Sequence, residues 1–185
     1  MKFAREVSGI SHGVSLGLLA ALYVRDSLAL SVDVEPHVPG LEPPLPVRVP
    51  AGVDRAAVTA QWPGWWADAL QAWTRGVEPL AAENAEALLT RPACRAAVLA
   101  LKPGLDELHR LRSPAALPIG DVLRGVESRI GRWAQSVELH IAEVPVDGLL
   151  WERIGPAHVL ASTRFLGDPA RSAPALRAVL EDLVR

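Results

Sequence analysis

Hydrophobic positions recur at helical spacing over most of the first two-thirds of the chain and change to a two-residue period after Ser136. The densest helical stretch is 61–73, which holds four of the six tryptophans. With Pro63 at the first helical position, its fixed φ suits the helix and its missing N–H costs nothing. Such a helix runs to about Arg75, and Gly76 ends it. Trp62, Trp66, Leu70, Trp73 and Val77 then share one stripe, which predicts core. Trp65 is rotated from Trp66 by about 100°, so its ring needs a second neighbour, either in the fold or on a partner molecule.

Residues 13–29 read as a core helix. The uncharged run from Val14 to Val24 is shorter than the roughly 20 apolar residues that span a bilayer, and Glu6 and Arg25-Asp26 do not fit a secretory leader. On that helix Arg25 or Asp26 is expected to be partly buried, which requires pairing. Residues 32–51 contain Pro36, Pro39, Pro43, Pro44, Pro46 and Pro50, so neither a helix nor a central strand persists there. Leu41, Leu45, Val47 and Val49 are apolar anchors that predict an extended strap docked on the protein's own helices. Asp54 is the expected N-cap of a short helix to Gln61, interrupted at Trp62-Pro63. Leu80 to Leu89 reads helical. Pro92 starts a further helix with Val98, Leu101, Leu105, Leu108 and Leu111 as its apolar positions, broken or kinked at Lys102-Pro103-Gly104. Asp121 caps a helix to about Trp133, whose apolar positions are Val122, Leu123, Val126, Ile130 and Trp133.

Beyond Ser136, Val137, Leu139 and Ile141 alternate with polar neighbours, as in a half-buried strand. Asp147-Gly148 supplies a two-residue turn, Leu149 to Ile154 a second strand, and His158 to Phe165 a third. The expectation is a three-stranded antiparallel meander covered by a last helix, for which Asp168 and Ser172 both offer N-caps and Pro174 favours the later start, with Leu176, Val179, Leu180 and Leu183 facing it. The fold class is therefore α+β, a mostly helical N-terminal two-thirds packed on a C-terminal meander, in one domain over residues 1–185.

Composition narrows the partners more than it names them. Half of the 185 residues are hydrophobic and the formal net charge is −2, so there is no global electrostatic case for nucleic acid or an anionic membrane. Arg124, Arg129 and Arg132 on one helix read as a solvated face. Cys94 is the only cysteine. It excludes an intrachain disulfide and a multi-cysteine zinc site, and it suits the reducing cytoplasm. Near the start of a helix it is expected as a small buried residue beside Val98; the alternative is a thiolate stabilised by the helix dipole.

Motif chemistry is sparse. There is no HExxH, no CxxC and no phosphate loop, and no metal or cofactor is expected. Gly9-Ile10-Ser11-His12-Gly13 lacks the preceding strand and following lysine of a phosphate site, so Ser8 or Ser11 reads as a helix cap. The candidate acid–base pair is His140 with Glu138, two residues apart on one strand face, where the carboxylate would raise the imidazole pKa. The same hairpin register sets Glu143 opposite Glu152. His158 and Ser162 are too far apart along one strand for proton transfer. The expected function is a non-catalytic interaction protein, an adaptor or subunit of an assembly, contacting a protein partner or a second copy through Trp65, Leu41 and Leu45. The alternative is a small acid–base enzyme centred on His140 and Glu138.

Overall fold

The computed structural model describes residues 9–117, 119–130 and 138–183, and the side chains of all of these but 123, 127, 129 and 130. The expectations placed on Leu123, Arg129, Ile130, Arg132, Trp133 and Val137 lie outside the residues and side chains so described. The chain divides into two compact units: a helical unit over residues 15–112, and a sheet unit that joins residues 1–14 to 113–185.

In the helical unit, α1 (Leu16–Ser27) starts at Ser15, whose hydroxyl accepts from the Leu18 N–H. The α2 helix (Arg55–Thr74) is capped by Asp54, whose carboxylate accepts from the Ala56 and Ala57 N–H groups at 3.0 and 3.1 Å. It runs unbroken through Pro63, whereas the sequence implied an interruption there. An interior proline costs about 3 kcal/mol. Trp62, Trp65 and Trp66 are all buried, and at roughly 150–250 Å² per ring and about 25 cal/mol per Å² the burial outweighs that cost. The Trp62 indole also donates to the Ala21 carbonyl of α1 at 2.8 Å and stacks on Trp66 with centroids 5.7 Å apart.

The α3 helix (Pro92–Leu111) likewise continues through Pro103. Gly104 has a packing reason: a Cβ there would fall on the Tyr23 hydroxyl, so the missing side chain makes room for α1 against α3. Residues 80–89 do not form the expected helix. Short 3-10 turns occupy Ala82–Asn84 and Glu86–Leu88, separated by Ala85 in an extended conformation (ψ 129). Ala82 and Leu88 point inward, while Leu80 and Leu89 are 94% and 72% exposed.

The proline-rich strap docks on its own helices and the end of α1 holds it, but of the four expected anchors only Leu41 is buried and Leu45 half-buried, while Val47 and Val49 are 64% and 48% exposed. Arg25 pairs with Asp26 at 2.6 Å, both largely buried. The Arg25 guanidinium donates to the carbonyls of Val38 and Pro39, each at 2.6 Å, and Asp26 accepts the Leu41 N–H at 2.5 Å. Further along, the Arg48 N–H reaches the Ser27 carbonyl at 2.7 Å, and Arg112 reaches that of Glu42 at 2.7 Å. A segment too rich in proline to bond within itself thus has backbone groups satisfied from α1 and α3.

The sheet unit departs from the meander. Its strands are β1 (Ile10–Gly13), β2 (Leu139–Val144), β3 (Trp151–Gly155) and β4 (His158–Ser162), in the spatial order β1-β2-β4-β3. The first strand lies parallel to β2, β2 lies parallel to β4, and only β3 and β4 are antiparallel. Asp147-Gly148 therefore does not join paired strands, and Glu143 faces Ala161 rather than Glu152. Burial explains the difference. Every residue of β2 except His140 is buried, as befits an interior strand with parallel neighbours on both sides, whereas β3 is the exposed edge. Gly9 to Gly13 contributes a strand, not a cap, so Ser11 belongs to the sheet.

Three helices complete this unit: α4 (Ile119–Ile130), α5 (Thr163–Leu166) and α6 (Pro169–Leu183). Asp168, not Ser172, caps α6, its carboxylate accepting the Ala170 N–H at 3.0 Å. Asp121 lies inside the first turn of α4 and pairs with Arg124. Val122 and Val126 of α4 and Leu176, Val179 and Leu180 of α6 pack with Ile10, Leu139, Ile141, Val159 and Ala161, so one sheet face is covered by two amphipathic helices.

Candidate functional sites

Ser11, His140 and His158 stand in register across β1, β2 and β4, so their side chains share one sheet face. Ser11 Oγ lies 2.6 Å from His140 Nδ1, and the two imidazoles stack with centroids 4.8 Å apart. All three residues are half-buried. Burial first, and the neighbouring His140 second, push the pKa of His158 down, because lost water and added like charge both disfavour the cation. A hydroxyl bonded to an imidazole is the first half of a nucleophile–base arrangement. The carboxylate expected beside His140 does not make that bond: Glu138 is exposed just before β2, and the hydrogen bond of His140 goes to Ser11.

On the opposite face the sheet buries a second histidine. His12 Nε2 donates to Glu143 Oε2 at 2.8 Å, with the two side chains 8% and 2% exposed. Burial would raise the Glu143 pKa, but hydrogen bonds from His12, from the Ala115 N–H at 2.8 Å and from the Thr163 side chain hold it below the usual carboxylate value. With three donors the carboxylate is saturated, and it ties the segment after α3 and the start of α5 to the sheet. Ser162 is similarly occupied: its hydroxyl donates to the Gly148 carbonyl and accepts the Leu150 and Phe165 N–H groups at 3.0 to 3.1 Å.

In the helical unit a cavity of about 240 Å³ opens among the start of α1, the later turns of α2 and the segment 77–87. Trp65, Ala69, Ala72 and Trp73 form its apolar wall, and Glu78 and Glu86 line it as well. Trp65 is 0% exposed, which corrects the expectation of an indole offered to a partner: the ring is wall, not anchor. The Nε1 atoms of Trp65 and Trp66 are buried without a hydrogen-bond partner. Glu78 is exposed as a residue, yet its carboxyl group rests on the start of α1. Burial pushes its pKa up, and hydrogen bonds from the Ser15 side chain and the Gly17 and Leu16 backbones, with His109 nearby, only partly offset this.

The remaining candidates are structural. Leu41 is 3% exposed and so is held within the fold. Leu45 is half-buried and lines a smaller cavity of about 180 Å³ with Tyr23, Arg48 and Pro103. Cys94 is fully buried, its thiol pKa pushed up to about 11 by burial, which removes the stabilised thiolate. Among the described residues no group of three or more His, Cys, Asp or Glu side chains is placed to hold a metal ion, and no helix is long and apolar enough to cross a membrane.

Architecture and sites together describe a mixed α/β protein with a helical unit inserted after its first strand. No protein-family model, curated protein or solved structure matches the chain.

Proposed function

We propose that the protein is a non-catalytic interaction protein, an adaptor or subunit of a larger assembly, which takes a side chain of a protein partner into the tryptophan-lined cavity. A reducing compartment such as the cytoplasm suits its single buried thiol. The supporting observation is the cavity of about 240 Å³ walled by Trp65, Ala72 and Trp73. Drug-sized ligands occupy roughly 300–1,000 Å³, so this volume suits one inserted side chain, and an anchor filling a pocket is how interfaces concentrate their energy. The test is selection from a displayed library of random nonapeptides against the full chain and against Ala72→Phe, which fills the cavity. Enrichment by the wild type that Ala72→Phe loses, with both folded by circular dichroism, is the expected result. Equal enrichment by both, or none by either, overturns the reading.

An acid–base centre is the second reading, favoured by the 2.6 Å contact of Ser11 Oγ with His140 Nδ1. It requires an activated Ser11. A fluorophosphonate probe that labels the wild type and not Ser11→Ala would support it, and absence of labelling removes it.

A further inference from the structure

We infer that the occupant of the tryptophan-lined cavity is a basic side chain, the lysine or arginine of a protein partner; this rests on the interaction reading above. The inner wall is apolar and aromatic, but the polarity at its edge has one sign. Glu78 and Glu86 line the cavity, and among the described residues no lysine or arginine does. His109 acts on Glu78 from nearby, and three other cations of this unit are engaged elsewhere. Arg91 pairs with Asp68 at 2.8 Å and donates to the Ala87 carbonyl at 2.6 Å. Arg95 donates to the Glu83 carbonyl at 3.4 Å, and Lys102 bridges Glu83 and Asp106 at 3.0 and 3.4 Å.

An occupant of this cavity meets three kinds of surface: the half-buried Trp73 indole, with fully buried Trp65 behind the wall, alanine methyls and carboxylates. Lysine and arginine match all three. Their methylene stems lie along apolar walls while the charged head stays at the polar edge, indole π-density attracts the cation, and the head pairs with Glu86 or Glu78. A purely apolar side chain would leave both carboxylates to be desolvated without a counter-charge, which is unfavourable. An acidic one would add like charge. Glu78 is already crowded by protein and is pushed toward its neutral form, so an arriving cation also relieves a penalty that exists in the free protein. The helix-start N–H groups of Leu16 and Gly17, which would otherwise favour an anion, are taken up by this carboxyl group.

The test uses the full chain and the best peptide from the nonapeptide selection, remade with lysine, arginine, norleucine or glutamate at its most strongly enriched position. Titrations follow the fluorescence of the wild type and of Glu86→Gln, an exposed position whose change leaves the fold intact. The expected result is enrichment of lysine or arginine at that position and about ten-fold weaker binding of the norleucine peptide. That difference shrinks several-fold in Glu86→Gln and with added salt. Equal binding of lysine and norleucine peptides overturns the basic occupant while leaving the interaction reading in place. If n-butylammonium binds the wild type as tightly as any peptide and the selection yields no consensus, the cavity serves a small amine and the protein-partner assignment falls. If neither binds, both this inference and the interaction reading fail.

Discussion

The two units each bury a carboxylate with three hydrogen-bond donors, and the balance with burial comes out with opposite sign. In the sheet unit the buried carboxylate of Glu143 collects donors from His12, Ala115 and Thr163, and Ser162 uses its hydroxyl three times. In the helical unit Glu78 also has three donors, the Ser15 side chain and the Gly17 and Leu16 backbones, but burial outweighs them and its pKa is raised, at the wall of a cavity. Among the described residues each unit leaves two buried polar atoms unpartnered, Nε1 of Trp65 and Trp66 in one and Ser172 Oγ and Arg177 Nε in the other. Saturated polar groups hold a structure together; incompletely matched ones mark where a ligand would improve matters. A carboxyl group left unfavourably buried beside a cavity supports the binding proposed for the helical unit, while in the sheet unit Ser11, His140 and His158 set acid–base side chains next to one another.

The largest effects test whether the tryptophans are wall or anchor. Trp62→Ala and Trp65→Ala each remove a fully buried ring, and each is expected to cost about 3–5 kcal/mol in denaturant unfolding. A Trp65→Ala protein of unchanged stability would return that ring to the role of an exposed anchor. The finer comparison is between Trp62→Phe and Trp66→Phe. Both rings are buried and stacked on one another, but only the Trp62 N–H has an acceptor, the Ala21 carbonyl. Trp62→Phe should cost more by about 1 kcal/mol, and equal costs would show that the Trp66 N–H is satisfied in solution.

Next in size is the saturated carboxylate. Glu143→Ala orphans the donors of His12, Ala115 and Thr163, at about 1–3 kcal/mol for each that stays dry, so a loss of about 3 kcal/mol or more is expected. Its pH signature has a definite sign. The folded pKa lies below the usual value, so Glu143 contributes stability that is complete above about pH 4.5 and lost as pH falls through the folded value. Glu78 has the reverse sign: its folded pKa is raised, so stability declines as pH rises from about 4.5 through that value. Stability measured from pH 3 to 7 should lose its acid-limb slope in Glu143→Gln. In Glu78→Gln the mildly acidic range should gain slope. Identical profiles for the two variants would erase the distinction between the units.

A packing change of middling size follows from Gly104. Alanine is the better helix former, yet a Cβ at this position collides with the Tyr23 hydroxyl. Gly104→Ala is expected to destabilise by about 1–3 kcal/mol, and Tyr23→Phe, which removes the colliding atom, should restore most of the loss. A stabilising Gly104→Ala would mean that α1 and α3 have room to spare.

Legibility in the sequence divided along the same line as the units. The helical unit is built largely from contacts that periodicity and capping report: Asp54 caps where its position implied, Trp62, Trp66 and Leu70 of the expected stripe are core although Trp73 is half-buried and Val77 is 51% exposed, and the strap docks through Leu41. Its errors were local breakers outvoted by tertiary burial, at Pro63 and Pro103, and a helix assigned to 80–89 where the apolar residues at 80 and 89 point outward. The sheet unit failed for a different reason. The partner of Ser11 is His140, 129 positions away, and that of His12 is Glu143, 131 away. Three residues between two glycines carry too little pattern to announce a strand, and without β1 the period-2 stretch after Ser136 folds most simply on paper as a meander. The pairing of His140 with Glu138 was the nearest choice along the chain; a parallel sheet makes neighbours across it instead.

The smallest expected effect bears on whether the Ser11–His140–His158 row is architecture or chemistry. The His158 pKa is lowered, so stability contributed by its neutral form is full above about 6.5, the unfolded value, and is lost as pH falls through the folded value. The groups in the row are Ser11, His140 and the edge-strand Gly155, which pairs with His158. His158→Phe keeps an aromatic ring against His140 and removes the titration. Its stability should therefore change less than that of the wild type between pH 7 and 5, with little difference at pH 7. If the slope persists unchanged in His158→Phe, the lowered pKa of His158 is not its source, and the row loses the titration that sets it apart from a purely structural stack.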